Sequence, residues 1–599
     1  MSLSALFLSI ALLLSSFNGL TLVVAEPIPS PSAAASPTVD LSYATYQGYY
    51  DANYSLNVFK GIRYAAAPIA KLRWQAPVAP VKNRSSIITA QKDPPICPQS
   101  GAAGTPKAYG FNSGPGDEDC LFLNVFAPPN AKNLPVFFWI HGGGYALFSA
   151  APVDPRAMMN TNGNNFITVV IQYRLGAFGF LASDDVKNYG TLNAGLLDMN
   201  FALQWVHKYI QKFGGDPSRV TIGGESAGAG AVMYQAMAYG GKQSPSLFNN
   251  IIAASPWVPG VYKYNDSVPT QRYQAFAAAA GCGSAKSTFK CLVNADTAAL
   301  QNASGTVSTS GAFGTFGFLP VIDGTFIQER PTVQLLQRKL SGKRILSGNN
   351  ANEGVPLSPP TITTEAGFLG YVKTAFPGFS SSDITNLQAQ YSYAGDHSPV
   401  SPSAPVFDTS GDSGPTAVNQ SGLATGQQQR VFNVFAESTF DCPSYWLAAA
   451  FPQAWKYQYS VVPAYHGADL TAYWSAGAVV PGKSFMHAFQ KIWGNFITAD
   501  SPVVAIEDAT AGLANATVPL GEYGNIAWPQ YTVDNPVMMN LNETGGSLVQ
   551  VNVTENLKYK VVLEPGITNV FKLADAYKWE GGRGKRCQWW SSVAAKVPV

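Results

Sequence analysis

The stretch TIGGESAGAGAVMYQAMAYG, residues 221–240, joins a β-strand pattern to an apolar helical pattern through a run of small residues. Within it, GESAG (224–228) fits the G-x-S-x-G motif, with Ser226 at its centre. Between a strand and a helix this motif holds the serine on a sharp, strained turn. Glycines on either side remove the Cβ atoms that would collide there. The stretch therefore predicts an α/β fold that presents Ser226 as a nucleophile at the end of a strand.

Further strand patterns alternate with helical patterns along the chain, such as DMNFALQWVHKYIQKF (198–213). Alternation of this kind predicts a central, mostly parallel sheet covered by helices on both faces. We expect one catalytic domain over residues 43–599, in which the polar stretch 395–428 is a surface excursion. The predicted strands are LPVFFWI (134–140), FITVVIQYR (166–174), RVTIGG (219–224), NIIAAS (250–255), KRILSGN (343–349) and WKYQYSV (455–461).

The first residues, MSLSALFLSIALLLSSFNGLTLVVAEP, are typical of a secretory signal peptide spanning 1–25, with cleavage after Ala25. The alternative is a membrane anchor, but the apolar core from Ala5 to Leu14 is short for a span. Residues 26–42 are rich in Pro, Ser and Ala and predict a flexible leader. We therefore expect a secreted, extracellular protein without a stable membrane anchor.

Cysteines and glycosylation motifs agree with secretion. The six cysteines make an even count that allows fifteen pairings, and the chain has eight N-x-S/T motifs. Together they predict a disulfide-bonded glycoprotein. The candidate glycosylation sites are Asn53, Asn83, Asn265, Asn302, Asn419, Asn515, Asn542 and Asn552. With 38 basic and 36 acidic residues and no basic stretch, the chain has no feature typical of nucleic-acid binding.

Stabilisation of an oxyanion needs backbone N–H groups beside the serine. HGGGY (141–145) follows the strand pattern VFFWI, and its bare glycine backbone can approach a tetrahedral oxygen closely. Ala227 opens the helix after the serine, so its N–H faces the same place. We predict an oxyanion hole made by Gly143, Gly144 and Ala227.

A serine hydroxyl also needs a base, and the chain offers five histidines. His141 belongs to the glycine loop, His207 to the helix before the serine, and His397 to the polar excursion. His466, in VVPAYHGADL, follows a late strand, where a loop residue can reach the serine. We choose His466 as the base, with His487, in a helical pattern, as second candidate.

The third member is a carboxylate that orients the histidine, expected between serine and histidine in the chain. Glu353 follows the strand KRILSGN and is our choice. Asp323 is the rival, although its Asp-Gly sequence is typical of a turn. Asp469 is expected to cap the next helix, and Glu225 to support the serine indirectly.

With these residues placed, the chain resembles the type-B carboxylesterase/lipase family, which is cholinesterase-like and has the α/β-hydrolase fold. It is most similar to the secreted fungal carboxylesterases. The resemblance covers nearly the whole mature chain. It is carried by GIRYAAAPIAKLRWQAP (61–77), EDCLFLNVFAP (118–128), YRLGAFGFL (173–181), NAGLLDMNFALQWV (193–206) and FGGDPSRVTIGGESAG (213–228).

The resemblance implies a Ser-Glu-His triad of Ser226, Glu353 and His466, with the same three oxyanion donors. It also implies the disulfides Cys97–Cys120, Cys282–Cys291 and Cys442–Cys587, and large loop and helical insertions around the sheet. The implied reaction is two-step acyl transfer from a small-molecule or lipid-like ester. It needs no cofactor and no metal.

Three questions concern the substrate. In family lipases the loop between the first two cysteines is a longer, amphipathic lid. Here that loop, residues 98–119, is short and rich in Gly, Ser and Pro. This favours an esterase over a lipase on long-chain acylglycerols or sterol esters. That loop contains Tyr109 and Phe111 but no Trp, which argues against choline esters. Phe313, Phe316 and Phe318 either line the acyl pocket or pack as an ordinary loop.

A non-catalytic cholinesterase-like adhesion protein is the alternative from another class. Such relatives are expected to lose triad residues, whereas this chain keeps all three candidates.

Overall fold

An 11-stranded sheet forms the centre of the computed structural model, which describes residues 36–105, 110–392, 424, 426–474, 481–554 and 557–597. The predicted signal peptide, Tyr109, His397 and Asn419 lie outside the described residues. The chain from Pro37 to Val599 is one compact unit by its contacts. No helix among the described residues is long and apolar enough to cross a membrane.

The strands follow the predicted apolar runs closely. Their bounds are β1 Thr38–Asp40, β2 Ala44–Gln47, β3 Tyr49–Asp51, β4 Leu56–Arg63, β5 Asn83–Thr89, β6 Phe122–Ala127, β7 Leu134–Ile140, β8 Ile167–Ile171, β9 Gly215–Glu225, β10 Asn250–Ala254, β11 Arg344–Asn350, β12 Gln453–Tyr459, β13 Val537–Thr554 and β14 Leu557–Asp575. All six predicted runs form strands of the large sheet.

The large sheet has the order β14-β13-β12-β11-β10-β9-β7-β8-β6-β4-β3. In this order, each strand from β13 to β8 is parallel to its neighbour. β14 is antiparallel to β13, and β6, β4 and β3 each pair antiparallel with the preceding strand. The sheet is therefore mostly parallel, as predicted. Because parallel strands end at the same edge, the segments after β9, β10, β11 and β12 come together there.

The helices fill the connections between strands. They are α1 Arg156–Thr161, α2 Gly176–Phe180, α3 Asp184–Tyr189, α4 Ala194–Tyr209, α5 Ala227–Gly241, α6 Ser267–Ala279, α7 Thr288–Asn294, α8 Thr297–Thr309, α9 Pro331–Leu336, α10 Glu365–Ala375, α11 Ser381–Gln390, α12 Gly426–Ala436, α13 Cys442–Ala450, α14 Leu470–Trp474, α15 Lys483–Ala499, α16 Ile506–Thr510 and α17 Trp579–Val593. A π-helix, Glu437–Asp441, joins α12 to α13.

Helices cover both faces of the sheet, and the alternation of side chains along β7 shows how. Phe138 and Ile140 are buried in one apolar cluster with residues of α4 and α5. Phe137 and Trp139 point to the other face and pack with Trp493 of α15. A strand buried on both faces reads as a continuous apolar run, which is why these segments were recognisable in the sequence.

The prediction that residues 26–42 form a flexible leader is wrong for residues 38–40. Thr38–Asp40 form β1, which pairs antiparallel with β2, and β2 pairs with β5 in a separate three-stranded sheet. Val39 is buried in the core, so this segment is anchored by packing as well as by the strand ladder. The folded domain therefore includes residues before position 43.

Candidate active site

Ser226 lies on the tight turn between β9 and α5, with φ 59° and ψ −127°. A non-glycine residue with positive φ is strained, and close packing of the turn maintains it here. A Cβ on Gly224 would lie 2.4 Å from the backbone carbon of Gly228, and one on Gly228 would lie 2.2 Å from the carbonyl oxygen of Ile140. These contacts explain both glycines of the motif.

A hydrogen-bonded chain of three side chains runs away from this turn. His466 Nε2 lies 2.8 Å from Ser226 Oγ, and His466 Nδ1 lies 2.6 Å from Glu353 Oε2. The three come from segments after β9, β11 and β12. Ser226 and His466 are only 6% and 8% exposed, and Glu353 is fully buried. The distances place a base beside the hydroxyl and a carboxylate behind the base.

Two further groups hold Glu353 through its second oxygen. Oε1 accepts a hydrogen bond from the hydroxyl of Ser255 and one from the backbone N–H of Asn350 at 2.5 Å. A buried carboxylate is costly unless it is hydrogen-bonded, so these donors stabilise its charged form. They also leave Oε2 directed at His466.

A second buried carboxylate, that of Glu225, lies close to His466. Its Oε1 is 3.5 Å from His466 Nε2 and has no hydrogen-bond partner among the described residues. Burial lowers the pKa of His466, but the charges of Glu225 and Glu353 outweigh it, so that the pKa is raised. Burial also raises the pKa of Glu225. The two shifts are coupled, because a protonated Glu225 no longer raises the pKa of His466 through its charge.

The face of the His466 ring is covered by an aromatic side chain. The ring of Phe440, from the π-helix, has its centroid 4.1 Å from that of the imidazole, with 34° between the planes. Thr439, its neighbour, accepts a hydrogen bond from the backbone N–H of Val258 through its carbonyl oxygen. The π-helix thus contacts both the histidine and the loop that follows β10.

The other histidines lie away from Ser226 or have different contacts. His141 stacks on Tyr173, and burial lowers its pKa to about 4. His207 contacts the carbonyl of Leu247 through Nε2. His487, the second candidate base, lies on α15 beside Asp508 and is not brought to the serine.

The rival carboxylates are also placed. Asp323 accepts hydrogen bonds from the backbone N–H groups of residues 325–327 and from Asn193, so it stabilises a turn. Asp469 directly precedes α14, but its carboxylate accepts from Asn350 Nδ2 at 3.0 Å and is buried near the triad. The prediction that Asp469 caps the next helix is therefore wrong for its side chain, which binds Asn350 instead.

The predicted oxyanion donors belong to the glycine loop and to the start of α5, and Gly142 of that loop packs against Glu225 and Ser226. Gly143 and Gly144 have φ of 98° and 63°, and a Cβ on Gly144 would meet the ring of Phe316 at 2.3 Å. Ala227 opens α5 directly after the serine. Within the described part of the chain, no protein acceptor takes a hydrogen bond from these three N–H groups. Their role as oxyanion donors stays a prediction.

A cavity of about 560 Å³ is lined by residues that contact the serine turn and the glycine loop, although Ser226, His466 and Glu353 are not among its lining residues. Its wall includes Trp257, whose backbone N–H donates to the carbonyl of Ser226, and Phe316, whose ring lies against Gly144. Ser438 and Thr439 of the π-helix also line it. The aromatic residues Phe313, Phe316 and Phe318 all belong to this wall, so the loop that carries them lines a cavity.

Known proteins with similar sequences show which family the chain belongs to. A sequence model described as the carboxylesterase family matches residues 35–560. The chain belongs to the carboxylesterase family. It is 31% identical over 559 residues to lipase 4 of Diutina rugosa, covering 87% of this chain and 93% of that protein. It is 32% identical over 403 residues to carboxylesterase patB of Penicillium expansum, covering 58% of this chain and 71% of that protein.

The solved structures agree with the family assignment. The chain superposes on Aspergillus niger EstA with a TM-score of 0.73 and 26% identity, covering 95% of this chain and all of that one. The predicted α/β-hydrolase fold is confirmed. As a member of the carboxylesterase family, the chain is a hydrolase of carboxylic esters.

The cysteines pair as the family resemblance implied, in Cys97–Cys120, Cys282–Cys291 and Cys442–Cys587. The last bond ties α13 to α17. Five candidate glycosylation residues are exposed and Asn542 is half-buried: the exposed ones are Asn53, Asn83, Asn265, Asn302 and Asn515. The side chain of Asn552 lies outside the described part. Among the described residues, no group of His, Cys, Asp or Glu has the arrangement of a metal site.

Sequence reasoning missed three residues of this carboxylesterase-family site: Ser255, Asn350 and Phe440. Ser255 follows the strand run NIIAA directly, so its place at the end of β10 was a usable signal. Asn350 ends β11 and was visible in the same way. Phe440 had no sequence signal, because its place depends on the π-helix.

Proposed function

We propose that this chain is a secreted serine carboxylesterase that acts through Ser226, His466 and Glu353. The observation that supports it most directly is the continuous hydrogen-bonded chain from Ser226 Oγ to Glu353 Oε2, at 2.8 and 2.6 Å. Each atom has the chemistry that acyl transfer requires: a hydroxyl nucleophile, an imidazole base and a carboxylate that orients it. No step requires a bound metal or cofactor.

The first half-reaction forms an acyl-enzyme. His466 Nε2 takes the proton of Ser226 Oγ while that oxygen attacks the ester carbonyl carbon. The carbonyl oxygen becomes an oxyanion, which accepts hydrogen bonds from the N–H groups of Gly143, Gly144 and Ala227. Collapse of this intermediate breaks the bond to the alcohol, and His466 gives that alcohol the proton.

The second half-reaction frees the acid. His466 takes a proton from water, and the resulting hydroxide attacks the acyl carbon. The second oxyanion occupies the same three N–H groups, and its collapse returns the proton from His466 to Ser226 Oγ. Glu353 remains charged throughout and stabilises the imidazolium that forms in each half-reaction.

Hydrolysis of p-nitrophenyl butyrate by the wild type and by Ser226→Ala tests this mechanism. We expect Ser226→Ala to lower kcat by about 10⁴-fold or more. Ser218→Ala, which removes an exposed hydroxyl on β9, is the matched control and should retain wild-type activity. Equal activity of Ser226→Ala and wild type would contradict the proposal.

A lipase is the second candidate, favoured by the cavity's apolar wall and by the similarity to lipase 4 of Diutina rugosa. Against it, the described residues between Cys97 and Cys120, 98–105 and 110–119, contain no helix that would form an amphipathic lid. We therefore favour an esterase. A p-nitrophenyl ester series from acetate to palmitate, with and without emulsified triglyceride, distinguishes them: a long-chain optimum with a rate jump at the emulsion would establish the lipase.

Secretion rests on the sequence pattern of residues 1–25, on three disulfides and on the exposed N-x-S/T motifs. Disulfides of this kind persist in oxidising compartments. N-terminal sequencing of protein recovered from the culture medium tests it. We expect a mature chain that starts at Glu26, whereas retention of residues 1–25 in a cell-bound protein would contradict secretion.

A further inference from the structure

The cavity beside the triad has one charged residue among the described residues that line it, Arg272 of α6. The rest of the wall is mostly aromatic, aliphatic or glycine, with a few hydroxyl groups such as those of Tyr262 and Thr439. A guanidinium in such a wall is unusual because a cation loses hydration there. Its presence calls for an anionic or strongly polar partner.

The structure gives Arg272 no such partner within the protein. Nη1 donates to the carbonyl oxygens of Phe316, at 3.0 Å, and Gly317, at 2.7 Å. Arg272 is half-buried; in the described part of the chain its Nε and Nη2 donate to no protein acceptor, and no carboxylate forms an ion pair with it. Burial lowers the pKa of Arg272, which reflects the cost of holding this charge without a counter-ion.

One residue connects Arg272 to the reacting atoms. Phe316 accepts the hydrogen bond from Arg272 through its carbonyl, while its ring lies against Gly144 of the predicted oxyanion loop. The same ring contacts Trp257, with centroids 5.3 Å apart, and Trp257 is bonded to the backbone of Ser226. Arg272 is therefore linked through Phe316 to the part of the cavity wall that contacts Gly144 and the backbone of Ser226.

We propose that this cavity binds the acyl chain of esters that carry a carboxylate at the far end of that chain, and that Arg272 binds this carboxylate. The substrate class is monoesters of aliphatic dicarboxylic acids. The proposal rests on the proposed function of Ser226. A guanidinium presents parallel N–H donors that match a carboxylate in geometry, and the free Nε and Nη2 form one such pair. The apolar wall accommodates the methylene chain between the two ends.

The test compares p-nitrophenyl monoesters of adipic to sebacic acid with neutral p-nitrophenyl esters of the same chain length. We expect the wild type to prefer one monoester over its neutral counterpart. Arg272→Met, which keeps an unbranched apolar stem but removes the guanidinium and its charge, should lower kcat/KM for that monoester about 10- to 100-fold. The neutral ester does not need the guanidinium, so its kcat/KM should fall much less, and the ratio of monoester to neutral ester should fall by about 10-fold or more.

Two further variants complete the design. Arg272→Lys keeps the charge but loses the paired donors, so it should retain part of the preference. Arg219→Met removes an exposed arginine outside the cavity and should leave the preference unchanged. Activity on the neutral ester shows in each case that the variant is folded.

The outcomes separate this inference from the proposed function. An unchanged ratio of monoester to neutral ester in Arg272→Met would overturn the role of Arg272 while hydrolysis at Ser226 stands. A wild type that hydrolyses only neutral esters would overturn the substrate class in the same way. Loss of hydrolysis of every ester by the wild type would instead overturn both proposals.

Discussion

The ring of Phe440 lies 4.1 Å from the imidazole of His466, on a π-helix that buried ion pairs hold in place. Within that helix, Glu437 pairs with Arg583 and Arg586 of α17, and Tyr391 donates a hydrogen bond to it. Short π-helical turns are rare and occur often at functional sites. Here the turn brings an aromatic face to the histidine that we propose as the base.

Removal of that ring should weaken catalysis more than folding. Phe440→Leu leaves an apolar side chain but no aromatic face, so the imidazole is held less firmly and its cationic form loses cation–π stabilisation. We expect kcat to fall about 3- to 10-fold, with KM nearly unchanged. Phe440→Tyr keeps the ring and should retain most activity. Equal kcat for Phe440→Leu and wild type would show that the contact only fills space.

A pH profile tests the effect of the Glu225 charge on the pKa of His466. Glu225→Gln removes a negative charge that raises the pKa of His466. The folded histidine then loses its proton at lower pH, and the neutral form that acts as base extends to more acidic conditions. We expect the acidic limb of the kcat/KM profile to shift to lower pH by about one unit. A limb that stays in place, or moves up, would contradict this electrostatic assignment.

Substitution of the orienting carboxylate gives a larger effect. In Glu353→Gln the amide cannot stabilise the imidazolium and can favour the wrong tautomer of His466. We expect kcat to fall about 10³- to 10⁴-fold. Asp323→Asn is the matched control, because that rival carboxylate bonds a turn and Asn193 but neither Ser226 nor His466, and it should retain most of the wild-type kcat. If Asp323→Asn lost most of its kcat and Glu353→Gln kept it, Asp323 rather than Glu353 would be the orienting carboxylate.

The disulfides should differ in their contribution to stability. Cys442–Cys587 closes a loop with a sequence separation of 145, whereas that of Cys282–Cys291 is 9. Chain-entropy arguments give the longer loop the larger effect on the unfolded state. We expect the double Cys→Ser change at 442 and 587 to lower the free energy of unfolding by about 4 kcal/mol. Denaturant titration of both double variants checks the order, and a larger loss at 282 and 291 would contradict it.

The sequence was sufficient for the parts of the fold set by local pattern. The strands of the parallel sheet are continuous apolar runs because both their faces are buried, and the serine turn is marked by glycines that the contacts of 224 and 228 require. Glu353 could be preferred over Asp323 because the Asp-Gly sequence predicted the turn that the structure contains.

Features that depend on distant contacts were not predictable in this way. Thr38–Asp40 look like leader by composition, and only their pairing with β2 and burial of Val39 order them. The position of Phe440 depends on Glu437 and on arginines 146 and 149 residues further along the chain. Asp469 resembles a helix cap locally, but the side chain of Asn350, from a neighbouring strand, binds its carboxylate.

The central claim is that Ser226 is a nucleophile activated by His466. The most direct measurement is incubation of the folded protein with a fluorophosphonate, followed by peptide mass spectrometry. We predict one phosphonate adduct, located on Ser226, formed at a rate that falls steeply in His466→Ala. No adduct on Ser226 in the folded wild type, or equal labelling in His466→Ala, would contradict the account.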